Sequence, residues 1–177
     1  MKALTLTQPW ATLVAIGAKR IETRSWRTSY RGRLAIHAAK GFPKWARDFT
    51  TDPVCYEAVR LHCAALGIDE RLNGFPAYPV GAVLATCSLV NCIPTELTGR
   101  SEFMGVPLEG LTDQERAFGD FSDGRYAWIL ADVRMLPEPI PSKGALSLWE
   151  WLPVDSQRTN AKDAGRESSS IQSVGVA

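Results

Sequence analysis

Gly17-Ala18-Lys19-Arg20-Ile21-Glu22-Thr23-Arg24-Ser25-Trp26 gathers three cations, one acid and one indole into a single short stretch. From Arg20 to Trp26 the stretch reads as a strand. Its period of two places Arg20, Glu22, Arg24 and Trp26 on one side, so that face is cationic, acidic and aromatic at once. Immediately upstream, Pro9 suits the first turn of a helix. Trp10, Leu13, Val14 and Gly17 then follow the i, i+3, i+4, i+7 spacing of one helical face, and Gly17 is placed to end the helix in a left-handed cap. A short opening strand over residues 2–6 ends at Thr7-Gln8-Pro9.

Downstream, the polar Arg27-Thr28-Ser29-Tyr30-Arg31-Gly32 connection leads to a second strand over 33–38. Residues 43–66 read as two helical pieces, started by Pro43 and by Asp52-Pro53, with Val54, Ala58, Leu61 and Ala65 as the expected buried stripe. Gly74 to Pro79 is a turn-rich connector. Gly81 to Ile93 is an almost continuous β-prone apolar run, as in a core strand or a long bent barrel strand. Residues 94–124 form an acidic, glycine-dotted insertion with one short helix near 112–118. Strands at 125–135 and 145–152 close the domain, and Pro137-Glu138-Pro139-Ile140-Pro141 between them is too proline-rich for a central strand. These elements do not alternate as βαβ units, which predicts an α+β, mostly antiparallel small barrel with short helices packed at its openings.

The length of 177 residues allows one sizeable core, and the expected division is a folded domain over 1–154 and a disordered tail over 155–177. No apolar run approaches the ~20 residues that span a bilayer. The N-terminus lacks the pattern of a signal peptide, so a cytoplasmic chain is expected. Cys55, Cys63, Cys87 and Cys92 have neither the spacing nor the helpers of a zinc site and read as buried reduced thiols. No metal or cofactor is expected. No Walker loop, Gly-x-Gly-x-x-Gly, Gly-x-Ser-x-Gly or His-Glu-x-x-His occurs. His37, on a strand, and His62, on a helix among Leu61, Cys63 and Ala64, read as structural and not as a catalytic pair.

The net charge of +1 conceals an asymmetry. Residues 1–50 carry ten lysines and arginines against Glu22 and Asp48, a net of +8; the remainder carries ten against seventeen acids, a net of −7. Such polarity points to a polyanionic partner when the charges share a face.

Thr7-Gln8-Pro9-Trp10-Ala11, then Gly17 to Trp26, then Tyr30-Arg31-Gly32-Arg33-Leu34 closely resemble the ASCH domain, with a thinner likeness through Tyr78-Pro79-Val80-Gly81-Ala82-Val83-Leu84, Tyr126-Ala127-Trp128 and Trp149. The resemblance implies a PUA-like β-barrel with a cleft between barrel and helix for nucleic acid. The residues independently suit that task. Arg24, Arg27, Arg31 and Arg33 can each donate charge-assisted bonds to phosphate, and Trp26 offers a face on which an unpaired base stacks for ~1–3 kcal/mol.

The leading expectation is therefore a domain that binds RNA, another single-stranded nucleic acid or a nucleotide. Lys19, Glu22, Arg24 and Trp26 would line the cleft with Trp10 as a further lining candidate, and Arg27, Arg31, Arg33 and Lys40 would hold phosphates. Two alternatives stand beside it. One is a hydrolase acting on acylated cytidine or RNA through Lys19 and Glu22 as catalytic residues. Small ASCH-like amidohydrolases use a lysine, a threonine three residues later and a distant glutamate, whereas this chain has Glu22 at the threonine position. The other is a protein-interaction module working through the insertion 94–124.

Overall fold

The helix after Pro9 forms as its spacing predicts. In the computed structural model, which describes residues 1–66, 78–98 and 111–152, β1 (Lys2–Leu6) leads to α1 (Trp10–Ala15), whose Ala11, Leu13, Val14 and Ala15 are buried. Gly17 adopts φ +77°. The Gly17 amide then bonds the Val14 carbonyl at 2.9 Å and the Lys19 amide bonds the Leu13 carbonyl at 3.0 Å. This left-handed cap satisfies the last carbonyls of α1 and turns the chain into β2 (Ile21–Arg24).

After β3 (Gly32–Ala38) come α2 (Lys44–Asp48), a 3-10 turn at Phe49–Thr51 and α3 (Pro53–Ala65). The last begins as its sequence announces: Asp52 accepts the Val54 amide at 2.9 Å and Pro53 occupies the first turn. Next come β4 (Ala82–Pro94), a 3-10 turn at Thr95–Leu97, α4 (Asp113–Phe118), β5 (Tyr126–Pro141) and β6 (Leu148–Glu150). The strands form one sheet in the order β2-β5-β4-β3-β1-β6. Among the described residues, only β1 against β3 is parallel. The sheet makes a half-barrel, the α+β architecture expected of the sequence.

Its inner face carries Leu4, Leu34, Ile36, Leu89 and Trp128, and packs on Val14 and Ala15 of α1. A second cluster joins Leu13 to α3 and to Phe118 of α4. All four cysteines are buried free thiols. Burial pushes the thiols of Cys55 and Cys87 up to about 11 and about 12, so both stay protonated at neutral pH. No helix among the described residues is long and apolar enough to cross a membrane.

Several sequence expectations need correction. The buried stripe of α3 is Cys55, Ala58, Val59 and Cys63, while Val54 and Leu61 are 38% and 55% exposed. The inner stripe is built of small side chains, which let the helix approach α1 and α4 closely, and the bulkier residues face outward. The Pro137–Pro141 segment does belong to a strand, because β2 pairs with Tyr126–Ile129 and, among the described residues, no strand pairs with β5 on that side beyond Leu130. Pro141 and Ile140 can therefore pair with Ala82 and Val83 on the other side without leaving a ladder donor missing. β2 is shorter than expected and ends at Arg24. The tail, residues 99–110 of the insertion and most of the Gly74–Pro79 connector lie outside the described residues.

This packing carries a stability prediction. Val59→Ala is expected to cost about 2 kcal/mol and Leu61→Lys less than about 0.5 kcal/mol in urea unfolding; the reverse order would restore the stripe first read from the sequence.

Candidate nucleic-acid interface

β2 is an edge strand, and an edge strand exposes backbone donors and acceptors that must find partners. Here side chains supply them. The carboxylate of Glu115, on α4, accepts the Arg20 amide and, at 3.3 Å, the Ile21 amide. The Lys19 ammonium donates to the Ile21 carbonyl and, at 2.8 Å, to the Phe118 carbonyl at the end of α4. Both polar groups of the Ile21 backbone are thus closed by a buried acid and a buried base.

The same ammonium lies 3.7 Å from Glu22 Oε2, and Glu22 Oε1 lies 3.1 Å from Arg24 Nε. That last contact is an ion pair without hydrogen-bond alignment, since Arg24 Nε has no hydrogen-bond partner. Arg24 Nη2 donates to the Thr5 carbonyl at 3.0 Å. β2 is one end of the sheet and β1 is next to the other, so Arg24 ties the two ends of the half-barrel together. Strand alternation makes this possible: Glu22 pairs in register with Trp128, placing Glu22 and Arg24 toward the inner face, while Ile21 packs outward with Ala127 and Ile129.

Lys19 is only 1% exposed. Burial pushes its ammonium below the ordinary lysine range, against the pull of Glu22 and Glu115. Burial pushes the Glu115 carboxyl up, opposed by the Arg20 amide, Lys19 and the Ile21 amide. Lys19 and Glu22 therefore act on Arg24 and β2 more directly than on anything in solvent.

Trp26 is half-buried, edge-on to Trp128 with ring centroids 4.6 Å apart, and its carbonyl accepts the Trp128 indole N–H at 3.3 Å. Arg27 follows it, exposed. Arg31 is held at the surface by neutral acceptors: Nη1 donates to the carbonyls of Thr28 at 3.0 Å and Tyr30 at 2.8 Å, and Nη2 to Asn91 Oδ1 at 3.3 Å. Arg33 donates to Thr86 Oγ1 at 3.0 Å. The structure thus brings Lys19, Glu22 and Arg24 together; Trp26 packs on Trp128, the register partner of Glu22, and Arg27 and Arg31 follow it in the chain with exposed side chains. Arg33 lies apart, on the face of β3 opposite the core residues Leu34 and Ile36. Lys40 is exposed beyond the far end of β3. Trp10 is stacked on Phe49, with centroids 5.1 Å apart and planes at 6°.

His37 is structural. It packs edge-on to Trp149 with Nε2 3.0 Å from the Ser142 carbonyl. No group of three or more potential metal ligands occurs among the described residues. The sequence reading missed Glu115, Phe118 and Thr5. Thr112-x-x-Glu115 carries the spacing of a capping box, and Thr112 does accept the Glu115 amide at 3.2 Å, but the Glu115 side chain turns to β2 instead of back to its own helix.

The family model described as the ASCH domain matches residues 4–140. Activating signal cointegrator 1 of Mus musculus is 29% identical over 148 residues, and that of Homo sapiens 28%. Each alignment covers 83% of this chain and 22% of the relative, so the chain spans about a fifth of their length. The crystal structure of ASCH from Zymomonas mobilis aligns with a TM-score of 0.45 and 15% identity, covering 90% of this chain and 93% of that one. A point variant of the same protein aligns with the same score and identity, covering 96% of its chain.

Two outcomes are expected of this arrangement. Arg24→Ala should cost about 1–3 kcal/mol of stability, since it removes the nearer of the two cations at Glu22 and the donor to the Thr5 carbonyl, whereas Arg27→Ala should cost less than about 0.5 kcal/mol. Equal costs in urea unfolding would show that Arg24 does not tie the sheet. The second concerns pH. Because burial raises the folded carboxyl of Glu115 above the ordinary glutamate range, the folded state holds more protons than the unfolded state over the window above about 4.5, and stability falls as pH rises through it. Glu115→Gln should lose that component, so the difference between variant and parent should move in the variant's favour from pH 4.5 towards 7. A difference that is flat or moves the other way would contradict the burial argument.

Proposed function

This chain belongs to the ASCH domain family, RNA-binding-like in general, and from that premise we propose that it binds single-stranded RNA along the surface from Arg24 and Trp26 through Arg27 to Arg31. One observation carries the reading: the exposed guanidinium groups of Arg27 and Arg31 have no carboxylate partner among the described residues. A surface salt bridge would neutralise such a charge. Arg31 is instead held by two carbonyls and an amide oxygen, which fix its position and leave its charge whole.

Polyphosphate chemistry suits that condition, because guanidinium groups in fixed positions bind phosphate oxygens and release counterions. Trp26 stands beside them as a half-buried aromatic surface. Lys19 and Glu22 support the site by holding Arg24 and β2. Arg33 and Lys40 add to the positive field from other parts of the surface.

Hydrolysis through Lys19 and Glu22 has less support. The lowered affinity of Lys19 for its proton suits a base, but its ammonium is engaged with two carbonyls and Glu22 and is sealed from solvent. The protein-interaction reading through 94–124 also has less support, because Glu115, a buried acid of that segment, is turned inward onto β2.

Titration of a labelled single-stranded RNA at several salt concentrations tests the reading. Log affinity should fall linearly with log salt, and each of Arg27→Ala and Arg31→Ala should reduce the slope by about 0.7. Affinity indifferent to salt, or unchanged in the double variant, would refute it. Turnover of acylated cytidine abolished by Lys19→Ala would favour the hydrolase instead.

A further inference from the structure

Four aromatic rings form a series from the interior to the surface. Phe118, 1% exposed, meets Phe49 edge-on at 6.4 Å. Phe49 stacks on Trp10 at 5.1 Å, and Trp10 meets Trp45 at 5.5 Å with planes at 41°. Trp45, the outermost, is 63% exposed. It sits on α2, whose next residue, Ala46, is fully buried, so the helix that carries the indole is anchored. Tryptophan is highly buried on average, and an indole braced by a ring behind it but open in front forgoes a large burial term.

The segment that carries it is cationic. Lys40 is exposed, Arg47 is exposed and donates to the Phe42 carbonyl, and Lys44 is paired with Asp48 at 2.6 Å. Asp48 is the one acid between residues 40 and 48, against three bases. An apolar protein partner gains nothing from such a rim, whereas an anionic strand carrying flat bases matches both parts of it.

We infer that Trp45, braced by Trp10, which is itself stacked on Phe49, is a stacking platform for an unpaired base of the bound RNA, with the exposed Lys40 and Arg47 of the same segment to take phosphates. The inference rests on the RNA-binding reading and adds a second contact region to it. It also assigns the strand's bases, and not its backbone alone, a share of the affinity.

Fluorescence anisotropy with a labelled short oligouridine and a length-matched abasic ribose-phosphate strand, at one ionic strength, separates the two contributions. Trp45→Ala should weaken oligouridine binding about tenfold, leave abasic-strand binding and the salt slope unchanged, and retain the circular dichroism of the parent. Trp45→Phe should restore most of the loss. Equal oligouridine affinity of parent and Trp45→Ala, with Arg27→Ala and Arg31→Ala still weakening it, would overturn the platform and spare the RNA-binding reading. An equal loss on the abasic strand would also overturn the platform. A parent that binds neither strand would overturn both.

Discussion

The exposed edge of β2 is the constraint on which the rest depends. An unpaired strand edge must be closed by water, by another chain or by the protein's own side chains. This chain closes the Ile21 peptide groups with Glu115 on one and Lys19 on the other. Because Lys19 also holds the last carbonyl of α4 and faces Glu22, the closure is a network joining α1, β2 and α4. Arg24 extends it to Thr5 and so to the other end of the sheet.

That network divides the cations between Lys19 and Arg31 into two kinds. Lys19 and Arg24 are matched to Glu22 and to backbone carbonyls, and they hold the half-barrel in shape. Arg27 and Arg31 are exposed and lack carboxylate partners among the described residues. The division follows from desolvation: a buried charge without a partner costs several kcal/mol, so the one acid of the stretch is placed among the buried cations. The charges left over face solvent, where a polyanion can reach them.

Much of this was legible in the sequence because it is local. Gly17 ends α1 through its own backbone conformation, and Asp52-Pro53 starts α3 through one side chain and one ring. The grouping of Glu22 with Arg24 was equally visible, since alternation along a strand needs only neighbours, whereas Lys19 was joined to Glu22 only as the acid and base of one motif. What escaped was set by long-range contact. Glu115 reaches a strand more than ninety residues away, and its capping-box spacing suggests a partner within its own helix. The inner stripe of α3 could not be told from a plausible one shifted by a residue, because small cysteines and alanines carry a weak hydrophobic signal. The prolines of β5 argued against a strand only while the absence of a neighbour on one side was unknown. Trp45 drew no attention because a tryptophan near a helix start is ordinarily core.

The central claim is that the Ile21 peptide is sealed by Glu115 and Lys19 although, among the described residues, no strand lies on the outer side of β2. Native-state hydrogen exchange of the Ile21 amide tests this most directly. The account expects protection comparable to that of the central β4 and β5 amides, lost selectively in Glu115→Ala while Leu89 and Leu130 stay protected. Exchange at the rate of an open edge in the parent protein, or protection untouched by Glu115→Ala, would contradict it.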